Sequence, residues 1–125
     1  MTDVSIKFDN PEAYDQWMGV WTKIVGDRFL TWLQPNTSKH WIDIGCGNGR
    51  DSFYFYKQNL SVVGIDISKK AIKKNLNYSN PKLKFINLDI EKKTMSGKFD
   101  FIYSRFFLHA INEKTEDRLL KWINK

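Results

Sequence analysis

A single cysteine, Cys46, is the only thiol among 125 residues. One thiol closes no internal disulfide and builds no metal cluster by itself, which agrees with a reducing compartment and leaves no zinc motif to pursue. Nowhere does the chain approach the roughly 18 to 20 consecutive apolar residues of a membrane-spanning helix. Its start, MTDVSIKFDNPEAYDQW, carries acids among the first ten residues and no continuous apolar block, the marks of neither a secretory signal nor a transit peptide. Cytoplasmic residence is the expectation, with no membrane partner. Arginine is scarce, four of twenty basic residues, and it is the side chain whose rigid fork suits base and phosphate contacts. The formal charge of +6 is carried instead by lysines spread along the chain, such as Lys69, Lys73, Lys84 and Lys98. Solvated lysine-rich faces account for it, and a nucleic-acid partner is not expected. Internal repeats and low-complexity segments are absent.

The length suits one domain with one apolar core over residues 1–125. From Pro11 to Leu33 apolar residues recur at Ala13, Trp17, Val20, Trp21, Ile24 and then Leu30 or Leu33, the three-and-four spacing of an amphipathic helix. Asn10 suits its N-cap, Pro11 its first turn and Pro35 its end, so an N-terminal helix over 11–34 precedes the rest. From residue 40 onward the period changes. Short runs rich in β-branched and aromatic residues, Trp41 to Ile44, Ser61 to Ile65, Leu83 to Leu88 and Phe99 to Ser104, alternate with helical stretches at Asp51 to Gln58, Ser68 to Tyr78 and Asn112 to Ile123. A lysine-bearing loop lies around Glu91 to Lys98. Strand alternating with helix predicts an α/β core over 40–125, a doubly wound and mostly parallel sheet.

The segment WIDIGCGNGRDS places Gly45, Gly47 and Gly49 after an apolar strand and before a helix. A strand ending in a glycine turn lets the backbone approach a ligand, which the free N–H groups of the following helix then face. The dinucleotide fingerprint GxGxxG needs its third glycine at position 50, where Arg50 stands. The pattern present, Asp43 two residues ahead of GxGxG, resembles motif I of class I S-adenosylmethionine-dependent methyltransferases, in which the loop cradles the methionine end of the cofactor. That resemblance assigns Asp43, Gly45, Cys46, Gly47, Asn48 and Gly49 to cofactor binding.

The second strand, SVVGID, ends in Asp66, 21 positions after Gly45. In a doubly wound sheet this spacing brings the carboxylate beside the glycine loop, where it can accept from both hydroxyls of a ribose. The plainer alternative is an exposed acid before a helix capped by Ser68. By resemblance, Ile67 lies against the adenine ring. The third strand, LKFINLDI, ends in Asp89 and Ile90 and resembles the motif whose acid accepts from the exocyclic amine of adenine; a plain acid opening a charged loop is the alternative. The fourth, KFDFIYSRFFLHAI, resembles the segment in which strand four ends beside the sulfonium, and it implies cofactor roles for Ser104 and Arg105. His109 is the best single candidate for a base that takes a proton from the acceptor, against the plain role of packing or capping. The leading AYDQWMGVW resembles the helix before motif I in small-molecule methyltransferases, with Tyr14 as the aromatic that helps close the site.

What the resemblance implies is a Rossmann-like methyltransferase fold in strand order 3-2-1-4, S-adenosylmethionine as cofactor, no metal, and a small organic acceptor. No DPPY-type motif follows strand four, nor a Pro-Cys nucleophile. The family commonly has seven strands, whereas four are recognisable here. Strand four would therefore present an uncovered edge, open to a second copy or a partner chain. A catalytically silent cofactor-binding module that lacks its acceptor site is the competing function, and a nucleic-acid-directed enzyme is a third.

Overall fold

The computed structural model describes residues 11–105 and 107–125, and the side chains of 11–18, 21 and 22 lie outside that description. Asn10 and the side chains of Ala13, Tyr14, Trp17 and Trp21 therefore fall outside the described residues. The chain forms two compact units that divide after Gln34.

The first unit contains α1 (Pro11–Leu33). On this helix Val20, Ile24 and Trp32 are exposed, while Leu30 and Leu33 are partly buried. Gln34, with φ of 46°, takes the left-handed conformation that ends the helix, and its N–H returns to the Leu30 carbonyl at 2.8 Å. Pro35 follows at once and disfavours any continuation.

The second unit, Pro35–Lys125, is an α/β sheet. Its elements are β1 (His40–Ile44), α2 (Arg50–Lys57), β2 (Ser61–Asp66), α3 (Lys69–Leu76), β3 (Leu83–Asn87), β4 (Phe101–Tyr103), a 3-10 turn (Leu108–Ala110) and α4 (Glu113–Ile123). The four strands are parallel in the order β3-β2-β1-β4, the predicted order. Helix α3 is started by Ser68, whose hydroxyl accepts from the Ala71 N–H at 3.2 Å, and α4 by Asn112, which accepts from Thr115 N–H at 2.9 Å. Lys69, Lys70, Lys73 and Lys74 all stand on the exposed side of α3.

Strand alternation sorts the side chains to two faces. Ile42, Ile44 and Ile65 form one buried cluster with Ile90 and with Leu119 of α4, and Val63, Ile86, Ile102 and Trp122 pack against it. Trp41, Val62, Gly64 and Phe85 occupy the other face, under α2 and α3; the Trp41 ring lies 4.6 Å from that of Phe101 and 4.8 Å from that of Phe55. Strand β4 is shorter than its apolar run suggests because β1 offers it partners only at Trp41, Ile42 and Asp43. Ahead of that register, Asp100 exchanges bonds with His40: its N–H reaches the His40 carbonyl at 2.8 Å, and its carboxylate accepts the His40 N–H at 2.7 Å. Phe99 turns away to meet the Trp122 ring edge-on at 6.4 Å.

Leu119 is 1 % exposed at the centre of the α4 face. Leu119→Ala should cost about 2 to 5 kcal/mol of unfolding free energy, read from the urea midpoint. A loss below about 0.5 kcal/mol, the size of an ordinary surface substitution, would mean that α4 is not part of this core.

Candidate functional site

The loop between β1 and α2 is shaped at three glycines, with φ of 74° at Gly45, 54° at Gly47 and 81° at Gly49. At Gly45 the space is taken as well, since an added Cβ would stand 2.5 Å from Cδ2 of Phe107. Gly47 differs: among the described residues, a Cβ there would meet nothing within 4 Å. The loop is laced to the neighbouring strand by backbone bonds. Gly45 and Cys46 both donate to the Ile65 carbonyl at 2.9 Å, and Gly49 closes a turn onto the Cys46 carbonyl at 2.9 Å.

Beside this loop, the strand tips enclose a cavity of about 280 Å³. Ile44 and Gly45 line it from β1, Ile65, Asp66 and Ile67 from β2, and Leu88, Asp89, Ile90 and Glu91 from the segment after β3. Phe107, Ala110 and Ile111 supply the wall after β4. The Asp66 carboxylate is fixed by two backbone donors, Gly47 N–H at 2.8 Å on one oxygen and Ser68 N–H at 2.8 Å on the other. A carboxylate offers about four lone-pair directions, so each oxygen retains acceptor capacity. The Asn87 amide holds the same strand tip, donating to the carbonyls of Asp66 at 3.0 Å and Ile67 at 2.9 Å. Asp89 accepts the Glu91 N–H at 3.0 Å, with the exposed Lys92 ammonium 3.8 Å away. Its neighbour Ile90 is buried, and the Arg118 guanidinium of α4 donates to the Ile90 carbonyl, tying the helix to the cavity wall.

Of the residues expected from sequence, Gly45, Asp66, Ile67, Asp89 and Ile90 thus share one cavity. Asp43, Cys46, Gly47, Asn48, Gly49, Ser104, Arg105 and His109 are not among those lining it. Asp43 lies beneath the loop, 3 % exposed, and accepts from the buried Ser52 hydroxyl at 2.7 Å. Burial pushes its carboxyl up to about 7, against the lowering effect of the Ser52 bond. Cys46 is buried too, and desolvation, reinforced by the nearby Asp43 and Asp66 charges, drives its thiol far up, so it is an inert packing group rather than a nucleophile. Asn48 and Ser104 are exposed. Arg105 pairs with Asp51, Nε to Oδ2 at 3.2 Å, and the same oxygen accepts the Tyr103 hydroxyl at 3.1 Å. Burial raises the Tyr103 phenol, so it stays protonated and keeps donating. His109 is exposed on the 3-10 turn, between the cavity residues Phe107 and Ala110. The Tyr14 side chain lies outside the described residues.

Sequence reasoning missed Phe107, Ala110 and Ile111 as a cavity wall and Asp51 as the partner of Arg105. The apolar run after β4 was a signal for the wall. Nothing local in the sequence points Asp51, one residue into α2, at a group 54 positions away. No group of three potential metal ligands comes together among the described residues.

A family model described as "Methyltransferase domain" matches residues 35–117. "Putative methyltransferase 235L" of Invertebrate iridescent virus 6 is 36% identical over 88 residues, which cover 69% of this chain and 33% of that protein. The plantazolicin methyltransferase BpumL, solved in complex with SAH, is 28% identical with a TM-score of 0.67, covering 89% of this chain and 46% of that one. The TehB-like SAM-dependent methyltransferase from Corynebacterium glutamicum shares the fold at 22% identity and a TM-score of 0.64, covering 89% and 65%. The chain spans about a third of the length of the curated viral relative.

The buried Asp43 makes stability depend on pH with a defined sign. Its carboxyl ionises at about 7 when folded and at 3.8 otherwise, so folding takes up a proton between those values. The resulting stabilisation is fully present below the lower value and is lost as pH rises through the upper one. Asp43→Asn keeps a partner for Ser52 and removes the titration. The difference in urea midpoint should therefore move in the variant's favour between about pH 4 and about pH 8. A difference that does not change with pH would place the Asp43 ionisation elsewhere.

Proposed function

Because the chain belongs to the methyltransferase-domain family, the class I S-adenosylmethionine-dependent methyltransferases, we propose that it transfers a methyl group from S-adenosylmethionine to a small-molecule acceptor. The observation that carries this reading is the pairing of Asp66 and Asp89 on one cavity that also opens onto the glycine loop at Gly45. Asp66 is oriented by backbone and retains acceptor capacity, which suits the two hydroxyls of a ribose. Asp89 suits an exocyclic amine, with Ile67 and Ile90 as apolar surfaces for the base. The loop from Gly45 to Gly49 cradles the amino-acid end, since among the described residues nothing crowds the Cβ position of Gly47. Cys46 and Asn48 contribute backbone to that cradle, Asp43 supports it from below, and Ser104 and Arg105 border it from the end of β4.

When bound, the cofactor supplies a sulfonium whose methyl group is already electrophilic. The chain's own residues then have two tasks: to hold an acceptor lone pair in line, and to exclude water. Such positioning is worth about 7 to 11 kcal/mol. Phe107, Ala110 and Ile111, which line the cavity after β4, are the proposed apolar wall for the acceptor. His109, next to two of them, is the proposed base for a hydroxyl or amine acceptor. The small-molecule class rests on the missing DPPY and Pro-Cys motifs after β4. A cytoplasmic location and self-association through the free edge of β4 belong to the same reading.

Calorimetric titration with S-adenosylmethionine and its demethylated product tests the site. The wild type should bind both, and Asp66→Ala and Gly47→Val should each weaken binding by roughly 10- to 100-fold, the scale of a lost hydrogen bond to a charged group or of a side chain forced into left-handed backbone. Equal binding by wild type and both variants would remove the assignment. Release of demethylated product with a panel of hydroxyl and amine acceptors then decides between an enzyme and a silent cofactor-binding module.

A further inference from the structure

Asn75 sits in the last turn of α3, away from the cavity, and carries no part of the function described above. It is 4 % exposed, one of the few buried polar side chains. An asparagine turned inward from a helix loses helix propensity and must be desolvated, so a buried amide needs a partner to offset its cost. Its Nδ2 lies 3.4 Å from the carbonyl oxygen of Gly47, and 2.8 Å from where a Cβ on Gly49 would stand. One amide thus reaches two of the three loop glycines.

Gly47 is the glycine that needs such a hold. Gly45 is packed by Phe107, and Gly49 by Phe85 and Asn75 itself, whereas among the described residues no atom approaches the Cβ position of Gly47. Packing cannot set its backbone, so hydrogen bonds must. Its N–H is taken by the Asp66 carboxylate at 2.8 Å, and its carbonyl receives the Asn75 amide, with the Cys46 thiol as a weak second donor at 3.8 Å. The peptides on either side of Gly47 are thereby held from two elements, the tip of β2 and the body of α3.

We propose that Asn75 is a positioning residue, which fixes the Gly47 peptide and so presets the glycine loop for the amino-acid end of the cofactor. This rests on the function proposed above for its ligand consequences, but not for the latch itself. Two variants test it: Asn75→Ala removes the amide, and Asn75→Asp keeps its size while placing an acceptor against the Gly47 carbonyl. Amide hydrogen exchange in the ligand-free protein should accelerate about 10-fold or more at Gly47, while the central-strand amides of Ile42 and Ile65 stay protected. S-adenosylhomocysteine should bind about 5- to 10-fold more weakly, a typical effect of one neutral hydrogen bond, while adenosine alone binds within about twofold of wild type. General loosening of the fold would instead expose Ile42 and Ile65 and weaken both ligands alike, and either that result or an unchanged Gly47 would overturn the proposal. If the wild type binds neither ligand, the cofactor assignment falls, and with it the ligand part of the role, while the Gly47 exchange still decides whether the latch exists.

Discussion

Two backbone amides converge on one carboxylate, and the arrangement of the site follows from that convergence. Asp66 receives Gly47 from the loop after β1 and Ser68 from the start of α3. A strand tip, a glycine turn and a helix cap are thereby joined through a single side chain. Charge-assisted bonds of this kind are about twice as strong as neutral ones. They also fix the carboxylate of a residue that lines the cavity.

Beneath the loop the chemistry is different. Asp43, Ser52 and Cys46 are packed on the α2 and α3 side of the sheet, and Gly64 is bare because a Cβ there would stand 2.9 Å from the Ser52 oxygen and 3.0 Å from the Cys46 sulfur. The acid of the glycine motif is thus a buried support, and the acids at the tips of β2 and β3 are the ones that reach the cavity. Three carboxylates, on β1, at the tip of β2 and just after β3, are set apart by their burial and their hydrogen-bond partners. Desolvation raises the Asp43 carboxyl to about 7, whereas Asp66 and Asp89 stand at the cavity wall beside backbone donors.

Much of this was legible in the residues. The change of period near residue 40 separated helix from sheet, and the predicted strands at Trp41, Ser61 and Leu83 fall within a residue of their places at both ends. Strand order followed from the chain's resemblance to a known architecture, and the structure agrees with it. The fourth strand was overestimated because Phe99 looks like a strand residue, yet it leaves the sheet to pack on Trp122. Asp66 could be found from its spacing after the glycine loop, and Asp89 from the resemblance of the third strand's end to a family motif. Asn75 and Asp51 could not, since their partners are chosen by how a helix is rotated, and several rotations fit the same apolar pattern.

The ring of Phe107 touches the space above Gly45 and also walls the cavity on the side after β4. One side chain therefore joins the backbone of the glycine turn to the lining of the cavity. Pressure on that ring from inside the cavity is felt at once by Gly45, where no side chain could be added without displacing it, so the shape of the turn and the filling of the cavity are mechanically linked.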